Sequence, residues 1–114
     1  MQPEVEDRLL DIIEAGESIL EMIAGMSFDE YKQAAIRRLA AERQLITVGE
    51  ALNVALQKDP TLRNRITEAR EIVDFRNMLV HSYSNIRHDK VWAAMTKELP
   101  QLLAEVRALL PPAP

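Results

Sequence analysis

Residues 27–60 read SFDEYKQAAIRRLAAERQLITVGEALNVALQKDP, and this stretch decides the fold class. Ser27 and Glu30 stand three residues apart, which is the spacing of a capping box at the start of a helix. Asp59-Pro60 ends the stretch, because proline lacks the backbone N–H that a helix interior requires. Between these ends, apolar residues recur at helical spacing and form one long stripe, at Ala35, Leu39, Ile46, Leu52 and Leu56.

The long stretch and the residues before it predict two helical regions. An unbroken second helix would be long for a chain of 114 residues, so a break near Arg43 or Gly49 is left open. The first helix begins at Pro3, with acidic residues in its first turn, and Gly25 is its C-terminal stop.

A third helix is predicted from Thr61 or Leu62 to near His81. Its apolar residues recur every three or four positions. The polar and small residues at 82–87 then predict a loop.

Pro100 interrupts the last apolar pattern of the chain. Proline costs about 3 kcal/mol inside a helix but fits a first turn, so two short helices are predicted, at roughly 89–98 and 100–110. No stretch shows the alternating pattern of a strand. We therefore predict an all-α fold, an antiparallel helical bundle of about four to five helices that forms one domain over residues 1–110, followed by a proline-rich tail at 111–114.

Composition narrows the classes of function. The length is that of one domain, and the absence of cysteine excludes disulfides, thiolate metal sites and a thiol nucleophile. A chain without cysteine suits a reducing compartment, and we expect a cytoplasmic protein. The apolar runs are short and acidic residues follow Pro3 at once, so neither a signal peptide nor a membrane span is predicted.

The net charge of −4 would by itself count against a nucleic-acid partner. The charge is uneven, however. Residues 1–30 carry nine acidic side chains and one basic side chain, whereas residues 63–90 carry four acidic and six basic side chains together with both histidines. This mildly basic region permits an anionic ligand, although a mixed run of charges is usually a solvated helix face.

The stretch DFRNMLVHSY, residues 74–83, gathers a guanidinium, an amide, an imidazole and a phenol, at Arg76, Asn77, His81 and Tyr83. On a regular helix Asn77 and His81 share one face. Arg76 and Tyr83 share another face, and Arg76 lies about 140° from His81. The four groups can converge if the helix ends near His81, or if two copies of the segment face each other across a twofold axis.

These groups suit RNA cleavage without a metal. A neutral imidazole can take the proton of a 2′-hydroxyl, whose oxygen then attacks the neighbouring phosphorus. A guanidinium can stabilise the negative charge that builds on the phosphate oxygens. A second imidazole, supplied by a second copy of the chain, can protonate the leaving 5′-oxygen.

Each of these residues also has an ordinary structural interpretation. A histidine at a helix end commonly caps the helix, and Arg76 could form a salt bridge with Asp74, Glu71 or Glu68. His88 is consistent with a helix start and Trp92 with a core anchor. The two histidines lack the spacing of metal ligands, so neither a metal nor another cofactor is predicted.

The stretch RNMLVHSY, residues 76–83, resembles the signature of the HepT-like ribonuclease toxins of the HEPN superfamily: an arginine, four residues, a histidine, any residue and a tyrosine. The resemblance extends over most of residues 5–110 and implies a HEPN-like helical fold. Its flanking segments are Glu42-Arg43-Gln44 leading to Val48-Gly49-Glu50-Ala51, and Val91-Trp92 followed by Glu98-Leu99-Pro100-Gln101-Leu102.

The resemblance implies a role for each motif residue. Arg76 would bind phosphate and stabilise charge, His81 would be the acid or base, and Asn77 would orient the phosphate or the imidazole. Such proteins form homodimers with both motifs in one cleft. They are encoded with a minimal nucleotidyltransferase antitoxin, which attaches AMP to a tyrosine in or beside the motif, and Tyr83 fits that position.

The sequence therefore predicts the toxin subunit of a toxin–antitoxin pair, a metal-independent endoribonuclease that acts on cellular RNA. Two alternatives stay open. One is a non-catalytic helical dimer that binds a nucleotidyltransferase partner or a nucleotide, which the acidity of the chain slightly favours. The other is a purely structural bundle.

Overall fold

The protein, in a computed structural model, is described over residues 1–81 and 85–112. Every regular element within these residues is helical, so the predicted all-α class is confirmed. No helix in this part of the chain combines the length and the hydropathy of a transmembrane segment. The α-helices are α1 (Pro3–Ile23), α2 (Phe28–Gln33), α3 (Ala35–Lys58), α4 (Ala69–His81), α5 (His88–Ala93) and α6 (Leu99–Leu109).

The α3 helix is the central element of the bundle and packs against both α1 and α4. Its residues Leu45, Val48 and Leu52 are fully buried, as expected for a helix with neighbours on two sides. The α1 helix begins at Pro3 and is followed by Gly25, whose φ of 77° is one that side chains rarely allow. Both predicted ends of the first helix are therefore confirmed.

The second helical region breaks at Ala34, where ψ is 70°, and not near Arg43 or Gly49. The predicted capping box is confirmed. The Ser27 N–H donates to Glu30 Oε1 at 2.9 Å, and the Glu30 N–H donates to Ser27 Oγ at 3.2 Å.

The break separates a buried residue from an exposed segment. Tyr31 of α2 turns into the core and is 0% exposed, whereas Ile36 and Leu39 at the start of α3 are 87% and 59% exposed. The prediction that Leu39 belongs to the buried stripe is wrong, because α3 reaches the core only from Ala41 onward.

The α4 helix begins at Ala69, whereas the sequence predicts a start at Thr61 or Leu62. A 3₁₀ helix, Pro60–Asn64, takes the place of the expected first turns. The Thr67 N–H donates to a carboxylate of α6 at 3.1 Å, which holds the following turn against a distant helix. A long-range contact of this kind overrides the helical spacing of the apolar residues.

The C-terminal helices form one continuous helical run through α5 and α6. The prediction of two separate helices at 89–98 and 100–110 is therefore wrong. A π-helical segment, Ala94–Glu98, joins α5 to α6, and Pro100 is the second residue after it. The wider turn accommodates the missing proline N–H and its ring, which a regular helix would not.

A buried polar cluster joins α2, α3 and α5. The Tyr31 hydroxyl donates to Glu42 Oε2 at 2.8 Å, and His88 Nδ1 lies 3.5 Å from the same oxygen. Trp92 packs on Tyr31 with ring centroids 5.0 Å apart. Burial, together with the hydrogen bond to Glu42, raises the pKa of Tyr31, so its hydroxyl stays protonated. The predicted helix start at His88 and core packing of Trp92 are both confirmed.

Candidate active site

The α4 helix carries the motif residues. Ala69, Ile72 and Leu79 are buried and mark the face of α4 that packs on the bundle. Arg76 lies on this same face, because it is three, four or seven residues from each of them. Only 28% of its side-chain surface is exposed.

Gly49 explains how an arginine fits on a packed helix face. A β-carbon on Gly49 would overlap the Arg76 Cβ and would lie 2.9 Å from the Arg76 Cγ and 3.4 Å from the Ile72 carbonyl oxygen. These atoms belong to the base of a side chain and to the backbone, so they cannot move without moving α4. A glycine at position 49 is therefore what lets Arg76 lie directly against α3.

The Arg76 guanidinium is held at both of its terminal nitrogens. Nη1 donates to Asn77 Oδ1 at 2.9 Å, and Nη2 lies 3.4 Å from Glu50 Oε1. Among the described residues, the buried Nε has no hydrogen-bond partner. Each terminal nitrogen has a second N–H, which can donate to an anion. We call the group formed by Gly49, Glu50 and Arg76 the α3–α4 seam.

The acidic partner of Arg76 is not one of the predicted residues. Asp74 and Glu71 lie on α4 about 160° and 140° away around the helix, so they face away from Arg76. Glu50 follows Gly49 on α3, and the close helix crossing brings its carboxylate to the guanidinium. The acidic partner of Arg76 therefore lies on α3, whereas the sequence predicts a partner close to Arg76 in the chain.

His81 is the last residue of α4 and is exposed. It is four residues beyond Asn77, so the two share one side of the helix with β-carbons about 5–6 Å apart. The hydrogen bond from Arg76 draws the guanidinium toward that same side. Arg76 is therefore hydrogen-bonded to Asn77, and His81 lies one helical turn further along α4. Tyr83 lies outside the described residues.

The side of α4 opposite Arg76, here called the outer face, carries Glu71, Asp74, Phe75, Met78 and His81; Glu71, Asp74 and His81 are exposed, whereas Phe75 and Met78 also pack against the edge of the core. Phe75 and Met78 are partly exposed and line a shallow hollow together with Glu71 and Asp74. Partly exposed apolar side chains beside charged ones suit contact with another protein chain.

Sequence reasoning missed the roles of Gly49 and Glu50. Their segment supports the family resemblance, but nothing in it indicates a partner on another helix. A glycine within a long helix is the signal that could have shown the crossing, since it is less favourable there than alanine by about 1 kcal/mol.

The described ionisable residues near the motif are not arranged as metal ligands would be. Within residues 1–81 and 85–112, no three histidine, aspartate or glutamate side chains are grouped as metal ligands would be. His88 lies in the buried cluster with Glu42 and Tyr31. The candidate site therefore consists of the α3–α4 seam with Asn77, and of His81 at the end of α4.

Comparison with known proteins identifies related sequences. The sequence profile of the family described as "HepT-like: Ribonuclease HepT-like" matches residues 12–109. The chain is 27% identical over 99 residues to "Putative RNase TTE0752" of Caldanaerobacter subterraneus subsp. tengcongensis, which covers 87% of this chain and 88% of that protein. It is 26% identical over 103 residues to "Putative RNase MJ1380" of Methanocaldococcus jannaschii, which covers 90% of this chain and 94% of that protein. No solved structure matches the chain significantly.

We expect Gly49→Ala to lower the free energy of unfolding by about 1–3 kcal/mol, because the added methyl group overlaps the base of Arg76 and forces α3 away from α4. Gly16→Ala on α1 is the comparison, since its methyl group meets the side chain of the buried Leu103, 2.6 Å from a terminal methyl group and 3.2 Å from Cγ, and none of its nearest contacts is a backbone atom of another helix. Both variants gain the same helix propensity, so the difference between their urea midpoints compares an overlap with the base of a side chain, at Gly49, with an overlap that a leucine side chain can relieve by rotating, at Gly16. If the Gly49→Ala protein is as stable as the Gly16→Ala protein, α3 and α4 do not approach each other closely at Gly49.

Proposed function

The chain belongs to the HepT-like ribonuclease family, and we propose that it is a ribonuclease in which Arg76 and His81 act on the phosphodiester. The observation that carries this proposal is the placement of Arg76, whose base packs on Gly49 and whose guanidinium donates to Asn77 at 2.9 Å. A positioned guanidinium with N–H groups to spare is suited to bind a phosphodiester. The names of the two relatives support the same activity.

The proposed reaction needs no metal. His81 takes the proton of a 2′-hydroxyl while that oxygen bonds to the adjacent phosphorus. The bond between phosphorus and the 5′-oxygen breaks, and a second imidazole gives a proton to the leaving oxygen. Arg76 stabilises the charge on the non-bridging oxygens. The products are a 2′,3′-cyclic phosphate and a 5′-hydroxyl.

We propose that a second copy of the chain completes the site. The attacking and leaving oxygens lie on opposite sides of the phosphorus in an in-line displacement, so a single imidazole cannot serve both at once. His81 belongs to the outer face, which also carries the partly exposed Phe75 and Met78. Pairing two outer faces across a twofold axis would bury the surface that Phe75 and Met78 still expose and bring two imidazoles to one cleft.

We expect Arg76→Ala and His81→Ala each to slow RNA cleavage by about 100-fold or more, because each variant lacks a group that acts on the phosphodiester. The assay uses the purified chain with RNA and EDTA, and it examines the product ends for 2′,3′-cyclic phosphate. Arg70→Ala is the matched control, since Arg70 is an exposed arginine of the same helix.

Two results would count against this mechanism. Cleavage that survives both motif substitutions would remove Arg76 and His81 from the reaction. A wild-type protein that cleaves no RNA but co-purifies tightly with a nucleotidyltransferase would support the non-catalytic dimer, which the net charge of −4 favours.

Co-expression of wild-type and His81→Ala chains at measured ratios tests whether two chains share one cleft. We expect activity to follow the square of the wild-type fraction, because only dimers with two imidazoles hold both the acid and the base. Independent protomers would give a linear dependence. A linear dependence, or a monomeric mass in analytical ultracentrifugation, would rule out the shared cleft.

We further propose that the protein is the toxin of a toxin–antitoxin pair and that a nucleotidyltransferase antitoxin silences it by modifying Tyr83. The phenol oxygen would attack the α-phosphorus of ATP, and pyrophosphate would leave. Of the two tyrosines in the sequence, Tyr31 is fully buried and bonded to Glu42, which favours Tyr83 as the acceptor.

Mass spectrometry of the chain co-expressed with such an enzyme tests the modification. The wild-type chain should gain the mass of one AMP group, and Tyr83→Phe should gain none. AMP found on Tyr31, or on Tyr83→Phe protein, would contradict the assignment.

A further inference from the structure

Glu50 has no part in the proposed reaction, although it contacts Arg76. Its carboxylate oxygen lies 3.4 Å from Arg76 Nη2, whereas Asn77 accepts from Nη1. The Arg76 side chain is only 28% exposed, so its charge is largely removed from water. A partly buried charge of this kind is unfavourable when neither an opposite charge, a hydrogen bond nor water accompanies it.

Glu50 is placed to hold the guanidinium in one orientation. It follows Gly49 on α3, so its backbone is fixed relative to the point at which the base of Arg76 meets that helix. Gly49 therefore fixes the base of the arginine, while Glu50 and Asn77 fix its tip. An arginine that is already ordered loses little conformational entropy when it stabilises the charge that builds on the reacting phosphate.

The same carboxylate opposes the binding of RNA. Half of the Glu50 side-chain surface, 50%, is exposed, and its negative charge lies beside the guanidinium that a phosphate must approach. Loss of the charge should strengthen RNA binding, whereas loss of the contact should release the guanidinium. The two effects act on different kinetic constants.

We propose that Glu50 is a positioning residue for Arg76: its carboxylate holds the guanidinium at the α3–α4 seam in the orientation that stabilises the reacting phosphate, and it weakens RNA binding in doing so. This inference rests on the ribonuclease function proposed above.

Kinetics of two substitutions separate the effects. Glu50→Gln keeps an oxygen that accepts from Nη2 but loses the charge, so KM should fall while kcat stays within about twofold of wild type. Glu50→Ala loses both, so KM should fall and kcat should drop about tenfold. Glu21→Gln, at an exposed glutamate of α1, makes the same change in net charge and should alter neither constant.

A second measurement does not depend on catalysis. The Nε–H resonance of Arg76, assigned by its loss in Arg76→Lys, reports the rigidity of the side chain through its heteronuclear NOE. It should indicate a rigid side chain in the wild type and in Glu50→Gln, and a mobile one in Glu50→Ala.

An unchanged kcat together with a rigid Arg76 in Glu50→Ala would overturn the positioning role. A kcat in Glu50→Gln as low as in Glu50→Ala would also overturn it, since the charge itself would then be required. If the wild-type chain cleaves no RNA, the ribonuclease proposal fails, and the NMR comparison still decides whether Glu50 holds Arg76.

Discussion

The close contact between Gly49 and the base of Arg76 is the constraint on which the candidate site depends. Because Gly49 has no β-carbon, α3 and α4 approach closely enough for an arginine to lie on the packed face of α4. The same approach places the Glu50 carboxylate of one helix beside the guanidinium of the other. A wider crossing would leave the arginine without its acidic partner and free to move into solvent.

In the proposed reaction, this arrangement separates two tasks within one short motif. The guanidinium is held inside the α3–α4 seam, where charge stabilisation benefits from fixed geometry. The imidazole of His81 lies at the exposed end of α4, where it can meet a substrate or a second copy of the chain. Asn77 connects the two, since it bonds to Arg76 and shares a helix side with His81.

Features of the fold that depend on residues close together in the chain can be predicted from the sequence. The start at Pro3, the stop at Gly25 and the capping box that opens at Ser27 are all where local chemistry predicts them. Features that depend on contacts between residues far apart in the chain could not be predicted in this way. The break at Ala34 accompanies the burial of Tyr31, which bonds to a residue of another helix.

The same division holds for the candidate site. The motif alone leads to the prediction of Arg76, Asn77 and His81 as site residues, because their spacing is a property of one helix. It could not predict Glu50, which is 26 residues from Arg76 in sequence and meets it only where two helices cross. The roles of all four motif residues stay predictions, and Tyr83 also lies outside the described part of the chain.

The most direct test of the central claim is a crystal structure of the protein bound to an RNA that carries 2′-deoxyribose at the cleavage position. We expect a phosphate oxygen within hydrogen-bond distance of an Arg76 terminal nitrogen, with the base of that side chain still packed on Gly49 and a His81 imidazole near the 2′ position. A phosphate bound away from the seam, with Arg76 engaged only by Glu50 and Asn77, would contradict the claim.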